Sequence, residues 1–288
     1  MPLLGAHMSI AGGLHKAVEA AAAFNMETVQ IFTNSPSQWA VDPTSTPHRS
    51  SRWLEEKEFS ADAVQRFKEA LSSLRIRDPI AHSSYLINMA SPQRPLWSRS
   101  VDAMVLELHR ADQLGIRGVV VHPGAAMTAS ESEGIRLVVR ALREIQKQTA
   151  SLKADVLLEN TAGQGSCLGW KFEHLAKMID GVANPDRIGV CIDTCHAFAA
   201  GYPLSERADY ESTMKQLDST VGLSRVRAMH LNDSNRELGS RVDRHDHIGR
   251  GMIGKAAFRN VLCDPRLAKL PMYLETPKGV EDGKEHDA

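Results

Sequence analysis

The chain is poor in cysteine: Cys167, Cys191, Cys195 and Cys263 are the only four among its 288 residues, and none pair as CxxC. That excludes a disulfide-stapled secreted scaffold and a cysteine-built zinc ribbon, and it fits reduced thiols. No apolar run reaches the length of a membrane helix, and Met1 to Ser9 is cut by Gly5 and His7 before it could act as a secretory h-region. A cytoplasmic protein with no membrane partner is expected. Excess charge of either sign is also missing, since 34 Lys and Arg face 35 Asp and Glu, leaving −1 and a pI near 6.9. Such a chain has no broad basic field, so any polyanion has to be gripped locally. No Pro/Gly/Ser-rich linker divides the sequence and no motif recurs at a fixed period, which argues against separate domains and against a solenoid. With 42% hydrophobic and 24% charged residues the composition is globular, and a monomer is the default expectation.

What is present is a rhythm. Eight short aliphatic or β-branched runs alternate with longer amphipathic stretches: Leu3 to His7, Thr28 to Phe32, Pro79 to His82, Gly118 to His122, Asp155 to Glu159, Ile188 to Asp193, Val226 to Leu231 and Pro271 to Glu275. Val119-Val120-Val121 and Val156-Leu157-Leu158 are continuous apolar runs, as in parallel strands buried on both faces. Between them, Gly13 to Phe24, Ser60 to Leu74, Arg94 to Leu114 and Ser130 to Thr149 carry apolar residues at helical spacing, with Ser60 placed as an N-cap. Eight units of about 36 residues predict an α/β fold, a single-domain (β/α)8 TIM barrel over residues 1–288. Residues 41–59, with Arg49, Arg52 and Trp53, depart from the rhythm as an insertion loop, equally a lid or a solvated excursion. Residues 276–288, rich in glycine and charge, are too few for a full eighth helix and are expected as a flexible tail. Either a stub closes the barrel or the natural chain runs further.

In such barrels chemistry projects from the C-terminal ends of the strands into one mouth. From the third strand onward those ends carry His82, His122, Glu159, Asp193, His230 and Glu275, one βα unit apart. One strand-end His is ordinarily a hydrogen-bonded structural residue. Six converging ionisable groups are costly unless a cation compensates them. Two local pairs extend the set: His196 follows Asp193 within one helical turn, and Asp243 and His245 share one side of an extended segment. Nine N/O donors exceed the needs of one ion and suit two or three Zn2+ or similar ions with bridging carboxylates. Cys191 and Cys195 flank Asp193 and could serve as soft ligands, but buried thiols are the preferred reading.

Longer stretches then become recognisable: AHMSIAGG (Ala6 to Gly13), HSSYLIN (His82 to Asn88), HPG (His122 to Gly124), LENTAGQGS (Leu158 to Ser166), GVCIDTCHAFAAGY (Gly189 to Tyr202), HLNDS (His230 to Ser234) and GSRVDRHDHIGRGMIG (Gly239 to Gly254). From Gly5 to Glu275 the chain resembles the endonuclease IV family of apurinic/apyrimidinic endonucleases. The resemblance implies a TIM barrel with three Zn2+ per chain, Mn2+ being able to take one site. One ion would be held by His82, His122 and Glu159, a second by Glu159, Asp193, His230 and Glu275, and the third by His196, Asp243 and His245. His247 lies outside these positions and is expected as a solvated or phosphate-facing loop residue.

The implied activity is hydrolysis of the phosphodiester 5′ to an abasic site in duplex DNA, leaving a 3′-hydroxyl and a 5′-deoxyribose phosphate, with trimming of blocked 3′ ends. In that expectation a hydroxide between the two ions sharing Glu159 attacks phosphorus, the third ion stabilises the leaving 3′-oxygen, and Glu159 is the catalytic residue. Tyr85 and Leu86 match a loop that wedges into the helix, and Ser37 stands where some relatives carry a basic side chain. Arg241, Arg244 and Arg250 are candidate phosphate contacts; Arg244 could instead brace the ligands beside it. A DNA-repair enzyme of this kind would associate with the nucleoid while working. The rival reading is a xylose-isomerase-like sugar isomerase or epimerase with one divalent ion, which leaves His82, His122, His196, Asp243 and His245 without a role. A damage-binding module without catalysis would need a broken donor set, and none is visible.

Overall fold

The computed structural model describes residues 1–39, 59–281 and 284–286. Its elements, in chain order, are β1 (Leu3–His7), α1 (Leu14–Ala23), β2 (Thr28–Phe32), α2 (Ala61–Leu74), β3 (Ile80–His82), α3 (Arg94–Leu114), β4 (Gly118–Val121), α4 (Glu131–Gln148), β5 (Asp155–Glu159), α5 (Phe172–Asp180), β6 (Ile188–Asp193), α6 (Thr194–Ala200), α7 (Arg207–Thr220), β7 (Val226–His230), β8 (Asp233–Ser234), β9 (His245–Asp246), α8 (Lys255–Leu262), β10 (Pro271–Leu274), β11 (Gly279–Glu281) and β12 (Lys284–His286). Eight of the strands close a parallel barrel in the order β1-β10-β7-β6-β5-β4-β3-β2, with β1 pairing both β2 and β10. All eight expected runs are barrel strands; His122 and Glu275 lie one residue past their ends.

Local chemistry sets the helix boundaries. Ser60 and Ser130 accept from the backbone N–H of Ala63 and Glu133, capping α2 and α4 as a hydroxyl in extended backbone does. Gly115 ends α3 in the left-handed region. The apolar faces of these helices pack on the outside of the barrel, where Met104, Leu106, Leu142 and Ile145 are fully buried. Strands β1 and β2 approach closely at Gly5, where an added Cβ would overlap the Thr28 carbonyl of the neighbouring strand.

The inside of the barrel is filled differently. Ile80, Val120, Leu157, Cys191, Ala228 and Tyr273, one from each of β3, β4, β5, β6, β7 and β10, form a separate buried cluster. Because a strand returns to the same face every second residue, the next inward positions are His82, His122, Glu159, Asp193, His230 and Glu275. An apolar plug thus supports a polar layer at the mouth.

Two pairings lie outside the barrel. β8 and β9 are antiparallel, with Ser234 opposite His245, which brings the Asp243–His245 segment back to the mouth. Of the segment expected as a flexible tail, Thr276 is buried, Lys278 Nζ donates to the His7 carbonyl at 2.5 Å, and β11 and β12 pair antiparallel. No helix follows β10 among the described residues. Apart from Phe59 the expected 41–59 insertion lies outside the described residues, and with it Arg49, Arg52 and Trp53. No helix among the described residues is long and apolar enough to cross a membrane.

Candidate metal centre

Glu159, at the end of β5, has no solvent exposure and touches four imidazoles. Its Oε2 lies 3.2 Å from His82 Nε2 and 3.0 Å from His122 Nε2, while Oε1 lies 2.9 Å from His230 Nδ1 and 3.3 Å from His196 Nδ1. One carboxylate therefore faces two sides of the mouth. Asp193 ends β6 and caps α6: Oδ1 accepts from the His196 backbone N–H at 2.7 Å, and Oδ2 from Asn232 Nδ2 at 2.7 Å. The one-turn spacing of Asp193 and His196 is thus a cap. His196 Nε2 points to Asp243 Oδ2 at 3.1 Å, and His245 Nε2 sits 3.4 Å from Asp243 Oδ1 and 3.7 Å from Asp193 Oδ2.

Donor atoms lie within 4.8 Å of one another in each of three sets: His82, His122 and Glu159; Glu159, Asp193, His230 and Glu275; His196, Asp243 and His245. Asp193, Cys195 and His245 form a fourth such set. The Cys195 thiol, however, donates to the Arg244 carbonyl at 3.6 Å and burial pushes it up to about 12. Cys191 belongs to the apolar plug, with its thiol likewise pushed up to about 12 by burial. His247 belongs to none of the four sets.

The ring nitrogens show how these histidines are held. A carbonyl oxygen only accepts, so His82 Nδ1 donates to Ser83 at 2.8 Å, His196 Nδ1 to Asn160 at 2.9 Å, and His245 Nδ1 to Glu275 at 3.3 Å. Each bond leaves Nε2 turned toward carboxylates, as in metal-binding histidines braced through the other nitrogen. His245 Nε2 is buried with no hydrogen-bond partner, between two carboxylates, as a lone pair awaiting a cation would be. The donor set is all nitrogen and oxygen, suiting a borderline divalent ion such as zinc. These features fit a polynuclear cation centre.

The protonation preferences of these side chains agree. Burial alone would raise the carboxyl of Glu159, but His230, His122 and His196 more than offset it and hold it well below the usual carboxylate range. Asp243 and Glu275 are lowered in the same way, against burial, chiefly by His196 and by His230. Conversely, His196 and His230 are raised well above the ordinary imidazole value despite burial, by Asp193 and Asp243 for the first and by Cys191 and Glu275 for the second. Protonated imidazoles so placed offset the carboxylates as a cation would, and a cation bound among them would displace those protons.

The expected nucleic-acid residues are spread around this centre. Tyr85 stands 64% exposed on the turn after β3, its ring 5.7 Å from that of His82 and edge-on to Phe32 at 5.4 Å. Leu86 beside it is half-buried and Ser37 is exposed. Ser84 Oγ donates to the Pro36 carbonyl at 2.8 Å, tying the two loops together. Arg241 is stacked over the Trp170 ring, 3.5 Å from its centroid. Arg244 is exposed, and its guanidinium donates to the Asp243 carbonyl at 2.6 Å. Arg250 is exposed on a loop that the buried Asp233 carboxylate anchors through Gly249 and Ile253 N–H.

Residue-type reasoning passes over Gln30, Asn160 and Asn232, all buried beside the centre. Asn160 Oδ1 accepts from Asp193 N–H at 2.7 Å, and Asn232 Oδ1 from Glu275 N–H at 2.8 Å. The signal that finds them is position: each lies at a strand end or within two residues of one.

Comparison with known proteins places this arrangement. The family described as a xylose isomerase-like TIM barrel matches residues 18–287. A probable endonuclease 4 from Chloroflexus aggregans is 43% identical over 279 residues, covering 97% of this chain and 92% of that one. Another, from Trichlorobacter lovleyi, is 43% identical over 282 residues, covering 98% and 95%. The crystal structure of endonuclease IV from Thermus thermophilus superposes with a TM-score of 0.80 at 36% identity, covering 96% and 93%. With relatives this similar over nearly its whole length, the chain belongs to the endonuclease IV family, within the xylose isomerase-like TIM barrels.

Proposed function

We propose that the protein is a zinc-dependent DNA-repair endonuclease that hydrolyses the phosphodiester 5′ to abasic sites in duplex DNA. The products are a 3′-hydroxyl and a 5′-deoxyribose phosphate, and the same site trims blocked 3′ ends. The observation that carries the reading is Glu159, whose two oxygens face different imidazole pairs and so join two donor sets into one centre. His82, His122 and Glu159 would hold one ion, Glu159, Asp193, His230 and Glu275 a second, and His196, Asp243 and His245 a third. Bound there, divalent cations supply a nucleophilic water at neutral pH and neutralise phosphoryl and leaving-group charge. Zn2+ suits the donors, and Mn2+ can take one site.

The chain's own residues do the rest. Asn160 and Asn232 hold Asp193 in place, and carbonyl oxygens keep His82, His196 and His245 in the tautomer that leaves Nε2 free to bind. Tyr85, exposed beside His82, stacks into the gap of the missing base, with Leu86 as the apolar shoulder and Ser37 on the adjoining loop. Arg241, Arg244 and Arg250 meet flanking phosphates. The enzyme acts as a cytoplasmic monomer.

A sugar isomerase or epimerase shares the barrel but uses one ion. It gives no work to His82, His122, His196, Asp243 and His245. The deciding test is gel incision of a duplex with one abasic analogue, with and without chelator. Incision that the chelator abolishes supports the reading; no incision by folded, zinc-loaded protein overturns it.

A further inference from the structure

Strand β2 contributes no ionisable group to the mouth. At its inward position it carries Gln30, wholly buried and two residues beyond Thr28, whose hydroxyl donates to Tyr273 of the apolar plug. Every hydrogen bond of the Gln30 amide goes to a side chain of the mouth. Nε2 reaches Glu275 Oε1 at 2.5 Å and His7 Nδ1 at 2.8 Å, and Oε1 lies 2.7 Å from His230 Nε2.

The orientation of that amide follows from its neighbours. The Glu275 carboxylate only accepts, so the NH2 end must face it, and the carbonyl end must face His230. A carbonyl also only accepts, so His230 Nε2 carries the proton. Its Nδ1 is then left toward Glu159 Oε1 at 2.9 Å and Glu275 Oε2 at 3.2 Å. His230 is thus the one histidine of the centre whose bracing bond comes from a side chain through Nε2; its three braced companions use Nδ1 and a backbone carbonyl. One amide both selects the binding nitrogen of His230 and holds one oxygen of Glu275, leaving the other facing the same space.

We infer that Gln30 is a positioning residue: it orients His230 and Glu275 jointly toward the cation they share with Glu159 and Asp193, and toward no other. The inference rests on the metal-centre reading above. It predicts a local effect, because Gln30 touches neither His82 and His122 nor His196, Asp243 and His245 through any bond of its amide.

The test is Zn2+ titration of metal-free protein against a chromogenic chelator, for the parent and for Gln30→Met, which keeps the volume and removes both hydrogen-bonding ends. Gln30→Met is expected to bind one ion about 10- to 100-fold more weakly and the others as the parent does. On abasic duplex, kcat is expected to fall with KM unchanged. Equal affinity for every ion in parent and variant overturns the role of Gln30 alone. A parent that takes up no zinc overturns the metal-centre reading together with this inference. A second measurement needs no change at position 30. In zinc-loaded protein labelled with 15N-histidine, the His230 signals, assigned by their loss in His230→Gln, are expected to show a proton on Nε2 and none on Nδ1. The opposite tautomer overturns the inference.

Discussion

Replacing Glu159 by Gln keeps the shape of the side chain and removes the charge that two sides of the mouth share. In the parent, its oxygens lie 2.9 to 3.3 Å from four imidazole nitrogens, with no solvent exposure. At such separations one charge pair is worth about 5 kcal/mol with an effective dielectric near 20. Imidazoles can shed their protons, so the fold loses far less than that sum. The loss falls on cation binding, because a neutral amide offers one carbonyl oxygen where two donor sets each require a carboxylate oxygen. A drop in turnover of at least about a thousandfold is expected, or roughly 4 kcal/mol in the barrier. Single-turnover incision of a duplex with one abasic analogue, at saturating zinc, measures it, with circular dichroism checking the fold. A folded Glu159→Gln variant that incises within about tenfold of the parent refutes the role assigned to this residue.

Tyr85→Ala removes an exposed ring, so thermal stability should hold while affinity for abasic duplex falls about tenfold, as loss of one stacking contact does; unchanged affinity in a filter-binding titration contradicts the wedge. Arg241→Ala should lower the slope of log affinity against log salt by about one, and an unaltered slope means that the stack on Trp170 holds Arg241 away from phosphate. Stability should also fall in acid through Asp264. Burial would raise its carboxyl, but hydrogen bonds from Arg266 and from the Tyr210 hydroxyl hold it below the usual value. A folded pKa below the unfolded value, near 3.9, means stability present above about pH 4 and lost as pH falls through the folded value. Urea unfolding at pH 6 and pH 3 should therefore show a smaller acid loss in Asp264→Asn than in the parent.

The barrel is legible because its strands are buried on both faces: Val119-Val120-Val121 can hardly be anything but a strand interior. Most donors are legible for a related reason, since they are the last inward residues of consecutive strands, and chemistry at that level is ionisable where elsewhere it is apolar. Gln30 occupies the same level and escapes notice because a neutral amide is not a ligand type. Its role exists only in contacts to residues 23, 200 and 245 positions away. The β8–β9 and β11–β12 pairs are two or three residues long per strand, too short for any periodicity to appear. Arginine direction is equally invisible: Arg241 sits in left-handed backbone and stacks on Trp170, which neither composition nor spacing announces.

Metal content, measured on protein loaded with zinc and then dialysed, tests the central claim most directly when paired with incision of abasic duplex by the same sample. About three zinc ions per chain are predicted, with incision lost to a chelator and restored by zinc. One ion per chain, or no incision by the fully loaded protein, contradicts the account.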